Sequence, residues 1–223
     1  MLIVIEGLDG AGKSTQVENI KRYILDKGLK LKYLHFPRYD APVYGDLIAK
    51  FLRGDFGDIS VVHPQLVALL YALDRSDAGE EISKWVDEGY CVLLDRYVYS
   101  NIAYQCSKLK SEAEANSLRQ WIFNLEYGKY GIPKPDVNIF LDVPIGFVNE
   151  KLTKNREGAD REYLNGKRDI HEEHIEFQIG VRSAYLKEAQ RDSDFIRVDC
   201  SGDDGKMLSA DKIFERIKEV LKF

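Results

Sequence analysis

Residues 2–15 read Leu-Ile-Val-Ile-Glu-Gly-Leu-Asp-Gly-Ala-Gly-Lys-Ser-Thr. A short apolar, β-branched run from Leu2 to Ile5 ends at a glycine-rich turn, and a helical pattern follows. From Gly7 to Ser14 the turn matches G-x-x-x-x-G-K-[ST] in the context that motif requires, strand before and helix after. Glycines let successive backbone N–H groups turn inward as an anion nest at a helix N-terminus, where the helix dipole also favours negative charge. Gly7, Asp9, Gly10, Ala11, Gly12, Lys13, Ser14 and Thr15 are therefore the expected cradle of a polyphosphate. Lys13 is expected to reach the β- and γ-phosphates, and the Ser14 hydroxyl to take one position on Mg²⁺. A glycine-rich turn without a nucleotide is the alternative, but Gly12, Lys13 and Ser14 stand in register behind the strand.

At 223 residues, with no Pro/Ser-rich linker, the chain is expected to form one domain around one core. Hydrophobic content of 44% and charged content of 31% are those of an ordinary globular protein. A net charge of −5 argues against a nucleic-acid polymer as partner, so any basic site is local. Cys91, Cys106 and Cys200 are odd in number and lack C-x-x-C spacing, which suits reduced cytosolic thiols. The first strand begins directly after Met1, and no apolar run approaches the roughly 18 residues of a membrane span. The expectation is a cytoplasmic protein without a membrane partner.

Downstream of the loop, Val17, Ile20, Ile24 and Leu25 recur at helical spacing as far as Gly28. Leu31 to Phe36 reads as a strand broken by Pro37, after which Arg38 is either a phosphate ligand or a solvated loop residue. A short helix is expected over Tyr44 to Leu52, and Pro64 opens a long one through about Asp87. Within it Tyr71 and Arg75, at i and i+4, share a face, and they hold either a nucleobase or a piece of core. Tyr90 to Leu94 is a continuous apolar run of the kind found in buried parallel strands, ending in Asp95-Arg96-Tyr97. Ligands collect at such carboxyl ends. Asp95 is thus a candidate carboxylate for Mg²⁺ and Arg96 a candidate phosphate clamp, with a structural salt bridge as the alternative.

Residues 111–127 form a further helical pattern, and Val137 to Leu141 and Phe195 to Val198 two further strands. Lys134-Pro135-Asp136 resembles the tail of a guanine-selecting N-K-x-D signature, but Pro133 replaces the required Asn or Thr and the segment precedes its strand. A helix from about Ile145 runs into the charge-rich residues 151–168, containing Lys151, Lys154, Arg156, Arg161, Lys167 and Arg168, which read as a mobile lid or as plain solvated surface. Helices from Ile175 and from Ala210 to Leu221 complete the chain. Strands alternate with helices five times, implying an α/β fold with a five-stranded parallel sheet covered on both faces.

Across nearly its whole length the sequence resembles the thymidylate kinase family of P-loop nucleoside monophosphate kinases. The sharpest segment is Asp95-Arg96-Tyr97-Val98-Tyr99-Ser100-Asn101-Ile102-Ala103-Tyr104-Gln105. By that likeness Arg96 holds the acceptor phosphate beside Ser100, Asn101 contacts the thymine, and Tyr104 lies under the deoxyribose where a 2′-hydroxyl clashes. Tyr71 and Arg75 match the family's stacking aromatic and base-reading arginine, and Asp9 its carboxylate near the 3′-hydroxyl. Phe36-Pro37-Arg38 is similar to the segment that brings an arginine to the transferred phosphoryl group. Arg161-Glu162-Tyr163-Leu164-Asn165-Gly166 resembles the family's lid with its first two residues exchanged, which carries over Tyr163. Position 10 is glycine rather than the arginine of some members, which shifts catalytic positive charge to the lid, with Arg156 and Arg161 both candidates.

The resemblance implies a phosphotransferase that uses ATP and Mg²⁺ to convert dTMP to dTDP, working as a homodimer. A phosphate monoester is already ionised at neutral pH and needs no general base. A deoxynucleoside kinase, the nearest rival, needs a carboxylate at a neutral 5′-hydroxyl, and Glu6 is placed to supply one. A nucleotide-binding switch is the rival from another class.

Overall fold

The structure, a computed structural model, describes residues 1–153, 159–165, 169–172 and 175–221, with the side chains of 159–161 outside that description. Its five strands are β1 (Leu2–Gly7), β2 (Leu31–His35), β3 (Cys91–Asp95), β4 (Val137–Asp142) and β5 (Phe195–Asp199). They form one parallel sheet in the order β2-β3-β1-β4-β5. The β-branched run behind the glycine-rich turn is the central strand, and every residue of it is buried. Leu2 is in register with Val92 of β3 on one side, and Gly7 with Leu141 of β4 on the other. The inner strands β1, β3 and β4 are covered on both faces and read as nearly continuous apolar runs, whereas the edge strands β2 and β5 carry polar residues and are only partly buried.

Among the described residues, eight α-helices connect and cover the strands: α1 (Lys13–Asp26), α2 (Tyr44–Leu52), α3 (Pro64–Asp87), α4 (Val98–Cys106), α5 (Glu112–Phe123), α6 (Ile145–Thr153), α7 (Ile175–Arg191) and α8 (Ala210–Val220). Helix α1 packs with α8, while α3, α4, α5 and α7 pack among themselves, the two layers of a doubly wound sheet. The first connection leaves β1 toward the β2 edge, and later ones cross back past β1 to β5. Direction therefore reverses at β1, the place where open α/β sheets bind ligands beyond the carboxyl ends of their strands. Among the described residues no helix is long and apolar enough to cross a membrane.

Two elements depart from the sequence expectation. Helix α4 follows the Asp95-Arg96-Tyr97 strand end, and all its residues from Val98 to Cys106 are buried. A helix buried all round has no amphipathic period to betray it. The helix expected over 111–127 is α-helical only to Phe123, and Asn124–Lys129 continue as a π-helical turn. That turn brings Glu126 fully into the interior. Asp136, in the false guanine signature, accepts the Leu2 N–H at 2.7 Å and so holds the start of β1.

Glu6, the penultimate residue of β1, explains how α4 begins. Tyr97, the residue preceding the helix, supplies no side-chain cap. The Glu6 carboxylate, wholly buried, accepts instead from Tyr97 N–H (2.9 Å), Ser100 N–H (3.1 Å), the Ser100 hydroxyl and the Tyr185 hydroxyl of α7 (3.1 Å). It is a helix cap supplied from a neighbouring strand. Burial raises its pKa, and the Ser100 hydroxyl and Arg96 work against that rise. Glu6→Ala strands two backbone donors and a hydroxyl in the interior and is expected to lower unfolding free energy by about 2–3 kcal/mol in urea titration. Glu6→Gln keeps one acceptor oxygen and a group that the two hydroxyls rotate to meet, so it is expected to lose no more than about 1 kcal/mol.

Candidate active site

The glycine-rich turn joins β1 to α1 at the switch point of the sheet. Gly12 precedes the helix with φ 79°, and Gly10 has φ 74°, left-handed values that favour glycine. No side chain caps α1, and its first turn contains no acidic residue, so its N-terminal N–H groups are left for an anion. Ser14 and Thr15 are exposed in that first turn. Lys13 is 9% exposed and its Nζ folds back onto the carbonyls of Leu8 (3.1 Å) and Gly7 (3.5 Å). Burial, with Arg96 adding to it, lowers its pKa to about 8 against the opposing pull of Asp95 and Asp9.

Asp95 ends β3 beside this loop. Its Oδ2 faces His35 Nδ1 at 3.3 Å, and its buried Oδ1 has no hydrogen-bond partner among the described residues. Burial resists ionisation, but His35 and Lys13 outweigh it and hold the carboxyl below its ordinary value. An ionised carboxylate with one buried, unpartnered oxygen therefore stands by the phosphate loop.

Next to the loop lies a cleft of about 520 Å³ counting the open space at its mouth. Its lining includes Tyr71, Arg75 and Asn101. Arg75, 2% exposed, forms a bidentate pair with Glu126 of the π-helical turn, Nε to Oε2 at 2.5 Å and Nη2 to Oε1 at 2.8 Å. Burial works against the arginine's charge, but Glu126 more than compensates. Asn101 Nδ2 donates to Glu126 Oε1 and to the Ala68 carbonyl, both at 3.0 Å, while its buried Oδ1 has no partner among the described residues. Those two bonds orient the amide, and its buried oxygen is left without a partner among the described residues.

The lining also includes Asp9, Arg96 and Ser100. Arg96 adopts φ 69° and places Nη2 at 2.6 Å from Asp9 Oδ1 and Nη1 at 3.1 Å from Ser100 Oγ. The Tyr104 hydroxyl donates to Asp9 Oδ2 at 2.7 Å and accepts from Arg96 at 3.2 Å. Burial opposes ionisation of Asp9, yet Arg96 and Lys13 hold its pKa well below the usual carboxylate range. Tyr163 also lines the cavity, stacked on Tyr39 with centroids 3.7 Å apart, its hydroxyl donating to Asp169 at 2.8 Å.

The structure thus brings Asp9, Tyr71, Arg75, Arg96, Ser100, Asn101, Tyr104 and Tyr163 to one cavity beside the loop formed by residues 7–15. Arg38 is not among the residues lining it. Its Nε donates to Asp74 Oδ1 (2.8 Å), and its Nη2 to the Asp74 carbonyl (2.8 Å) and Asp77 Oδ2 (2.7 Å), which ties it to α3. Arg156 lies outside the described residues, as does the side chain of Arg161. Sequence reasoning missed Tyr39, Glu126, Asp169, His171 and Gln178: Glu126 meets Arg75 across 51 residues, Gln178 meets Asp9 across 169, and Tyr39 and Asp169 both meet Tyr163 of the charge-rich segment.

A sequence profile described as thymidylate kinase matches residues 5–208. The thymidylate kinase of Mycobacterium tuberculosis is 38% identical over 189 residues, covering 84% of this chain and 85% of that protein. The thymidylate kinase of Nitrosomonas europaea is 30% identical over 198 residues, covering 88% and 82%. Among solved structures, a thymidylate kinase from Candida albicans superimposes with a TM-score of 0.69 at 27% identity, covering 98% of this chain and 89% of that one.

The depressed lysine gives a testable pH dependence. Phosphate oxygens favour the ammonium form, so binding of a nucleoside triphosphate takes up a proton once the free enzyme has lost it. Affinity measured calorimetrically is expected to be level up to about pH 8 and to fall above it, approaching tenfold per pH unit. In Lys13→Ala affinity is expected to be weaker throughout and to lack that break.

Proposed function

This chain belongs to the thymidylate kinase family, and we infer that it transfers the γ-phosphoryl group of ATP to dTMP, yielding ADP and dTDP. The observation that carries the choice of acceptor is the pairing of Asn101, with its unpartnered buried Oδ1, and the Arg75 guanidinium in the cavity lining. Thymine presents N3–H as a donor next to O4 as an acceptor. An acceptor oxygen beside a cationic donor complements that edge, with Arg75 Nη1 left over from the Glu126 pair to serve O4. Cytosine offers the reverse order and would leave both protein groups opposed to like partners. Tyr71, half-buried in the same wall, supplies a ring for the base to rest on.

With the base at Asn101 and Arg75, the nucleotide's phosphate extends toward Arg96 and the ammonium of Lys13. Its oxygens are already anionic, so the transfer consists of positioning and charge compensation. Glu6 offers no general base, because its oxygens are occupied by the start of α4 and by Tyr185. That removes the main support for a deoxynucleoside kinase. ATP is assigned to residues 7–15, with its phosphates on the loop's N–H groups and on Lys13. Ser14 and Asp95, the latter with its unpartnered buried oxygen, suit Mg²⁺, which when bound screens the charge between the β- and γ-phosphates. Arg156 and Arg161 remain the candidates for a lid cation, and Arg38 is a third if it leaves Asp74 and Asp77. A homodimer in the cytoplasm belongs to the same reading, on the resemblance alone.

A coupled ADP-release assay with a panel of acceptors tests this assignment. dTMP is expected to be used well and dUMP, which has the same edge, to be accepted. dCMP is expected to be disfavoured by a hundredfold or more in kcat/KM, and thymidine to be inert. Asn101→Ala is expected to lower kcat/KM for dTMP by roughly ten- to a hundredfold with little change in the KM for ATP. Comparable use of dCMP, or turnover of thymidine, would contradict the assignment.

A further inference from the structure

Helix α2 ends at Leu52, with Arg53 as its C-terminal cap, and both residues hold a segment that lies far along the chain. The Leu52 carbonyl accepts from the Ile170 N–H at 3.0 Å. Arg53 Nη1 donates to the carbonyl of Tyr163, 110 residues away, at 2.7 Å. The Arg53 side chain is 11% exposed, and one edge of its guanidinium is engaged by Asp55, whose Oδ2 lies 3.1 Å from Nε and 3.0 Å from Nη2. A guanidinium is a rigid planar fork, so fixing one edge on Asp55 aims the remaining nitrogen at Tyr163.

The segment held in this way borders the cavity. The Tyr163 ring is stacked on Tyr39 with an interplanar angle of 7°, and its hydroxyl reaches Asp169; all three residues line the cavity. Tyr39, Tyr71 and Tyr163 also pack against a small apolar cluster that is separate from the main core and contains Phe51 and Leu52 of α2 together with Ile170. Tyr163 itself belongs to a single 3₁₀ turn, Ala159–Leu164. Such a turn has weak internal hydrogen bonds, so its placement is set by what it docks on. Here the dock is the end of α2.

We propose that Arg53 is a positioning residue for the acceptor: its bond to the Tyr163 carbonyl seats the stacked Tyr39–Tyr163 pair as a wall of the cavity. The inference rests on reading this cavity as the acceptor site. Arg53 does not line the cavity, so it acts only through Tyr163. Without the donor, a partly buried carbonyl loses its partner and the ring is present but misplaced. A wall that contacts the acceptor before and during transfer contributes uniform binding, which is read in KM and not in kcat.

The test is a double-mutant cycle on steady-state kinetics, with melting temperature as the folding control. Arg53→Met keeps the aliphatic stem and removes the donor; Arg53→Leu, shorter and also without a donor, is read in the same way. Both are expected to raise KM for the acceptor monophosphate roughly five- to twentyfold, while kcat and KM for ATP stay within about twofold of wild type. In a Tyr163→Ala background no ring is left to position, and Arg53→Met is expected to change the acceptor KM by less than about twofold. The acceptor used is whichever monophosphate wild type accepts best. If the cavity is not the acceptor's, Tyr163→Ala alone leaves the acceptor KM unchanged, which separates failure of that reading from failure of this one. An unchanged acceptor KM in both Arg53 variants while Tyr163→Ala raises it, a matching rise in KM for ATP, the same loss with and without the Tyr163 ring, or loss of the melting transition in both variants would overturn the proposal.

Discussion

Glu6 is wholly buried at the end of the central strand, and its carboxylate collects two backbone N–H groups, a serine hydroxyl and a tyrosine hydroxyl from α4 and α7. Taking a carboxylate out of water is unfavourable by several kcal/mol unless donors replace the solvent. Here the donors are the open end of a helix that has no cap of its own, so two unfavourable features resolve each other. The consequence is geometric. Ser100, held by Glu6, accepts from Arg96, and Arg96 pairs with Asp9 in the phosphate loop, three residues beyond Glu6. The phosphate loop and the start of α4 are thereby held against each other by one short stretch of chain.

The cavity's two arginines differ in how their charges are held. Arg75 and Glu126 form a buried pair whose contribution to stability is modest on general grounds, since desolvation consumes much of the attraction. What the pair fixes is orientation: Glu126 also receives Asn101 Nδ2, which leaves the unpartnered amide oxygen as an acceptor beside a cationic donor. Arg96 is held against Asp9, which keeps its guanidinium desolvated and oriented; on the proposed function, little reorganisation then remains when it takes an anionic acceptor.

The phosphate loop and the five strands were legible because their signals are local: a glycine-lysine spacing, nearly continuous apolar runs in the inner strands, and short β-branched or aromatic stretches bounded by breakers at the edges. Helix α3 announced itself through Pro64, and Tyr71 and Arg75 through their helical offset. Helix α4 did not, since burial on all sides erased the periodicity by which helices are read. The role of Glu6 depends on partners 91 and 94 residues away, and that of Arg38 on Asp74 and Asp77, 36 and 39 residues away. No pattern in the sequence joins these positions. The π-helical turn likewise leaves no signature, yet it carries Glu126 to Arg75. Asp169 and His171 sit beyond a run of charged residues read as lid or solvated surface, whereas the fold buries both against Tyr104 and Tyr163.

The central claim is that a single acceptor nucleotide spans the cavity, its base read by Arg75 and Asn101 and its phosphate taken by Arg96. A crystal structure of the complex with dTMP tests it most directly. The expected result is thymine N3–H on Asn101 Oδ1, O4 facing Arg75, the sugar over Tyr104 and the phosphate on Arg96. A base lying beyond reach of Arg75 and Asn101, or a phosphate bound by Arg38 with Arg96 still paired to Asp9, would contradict the account.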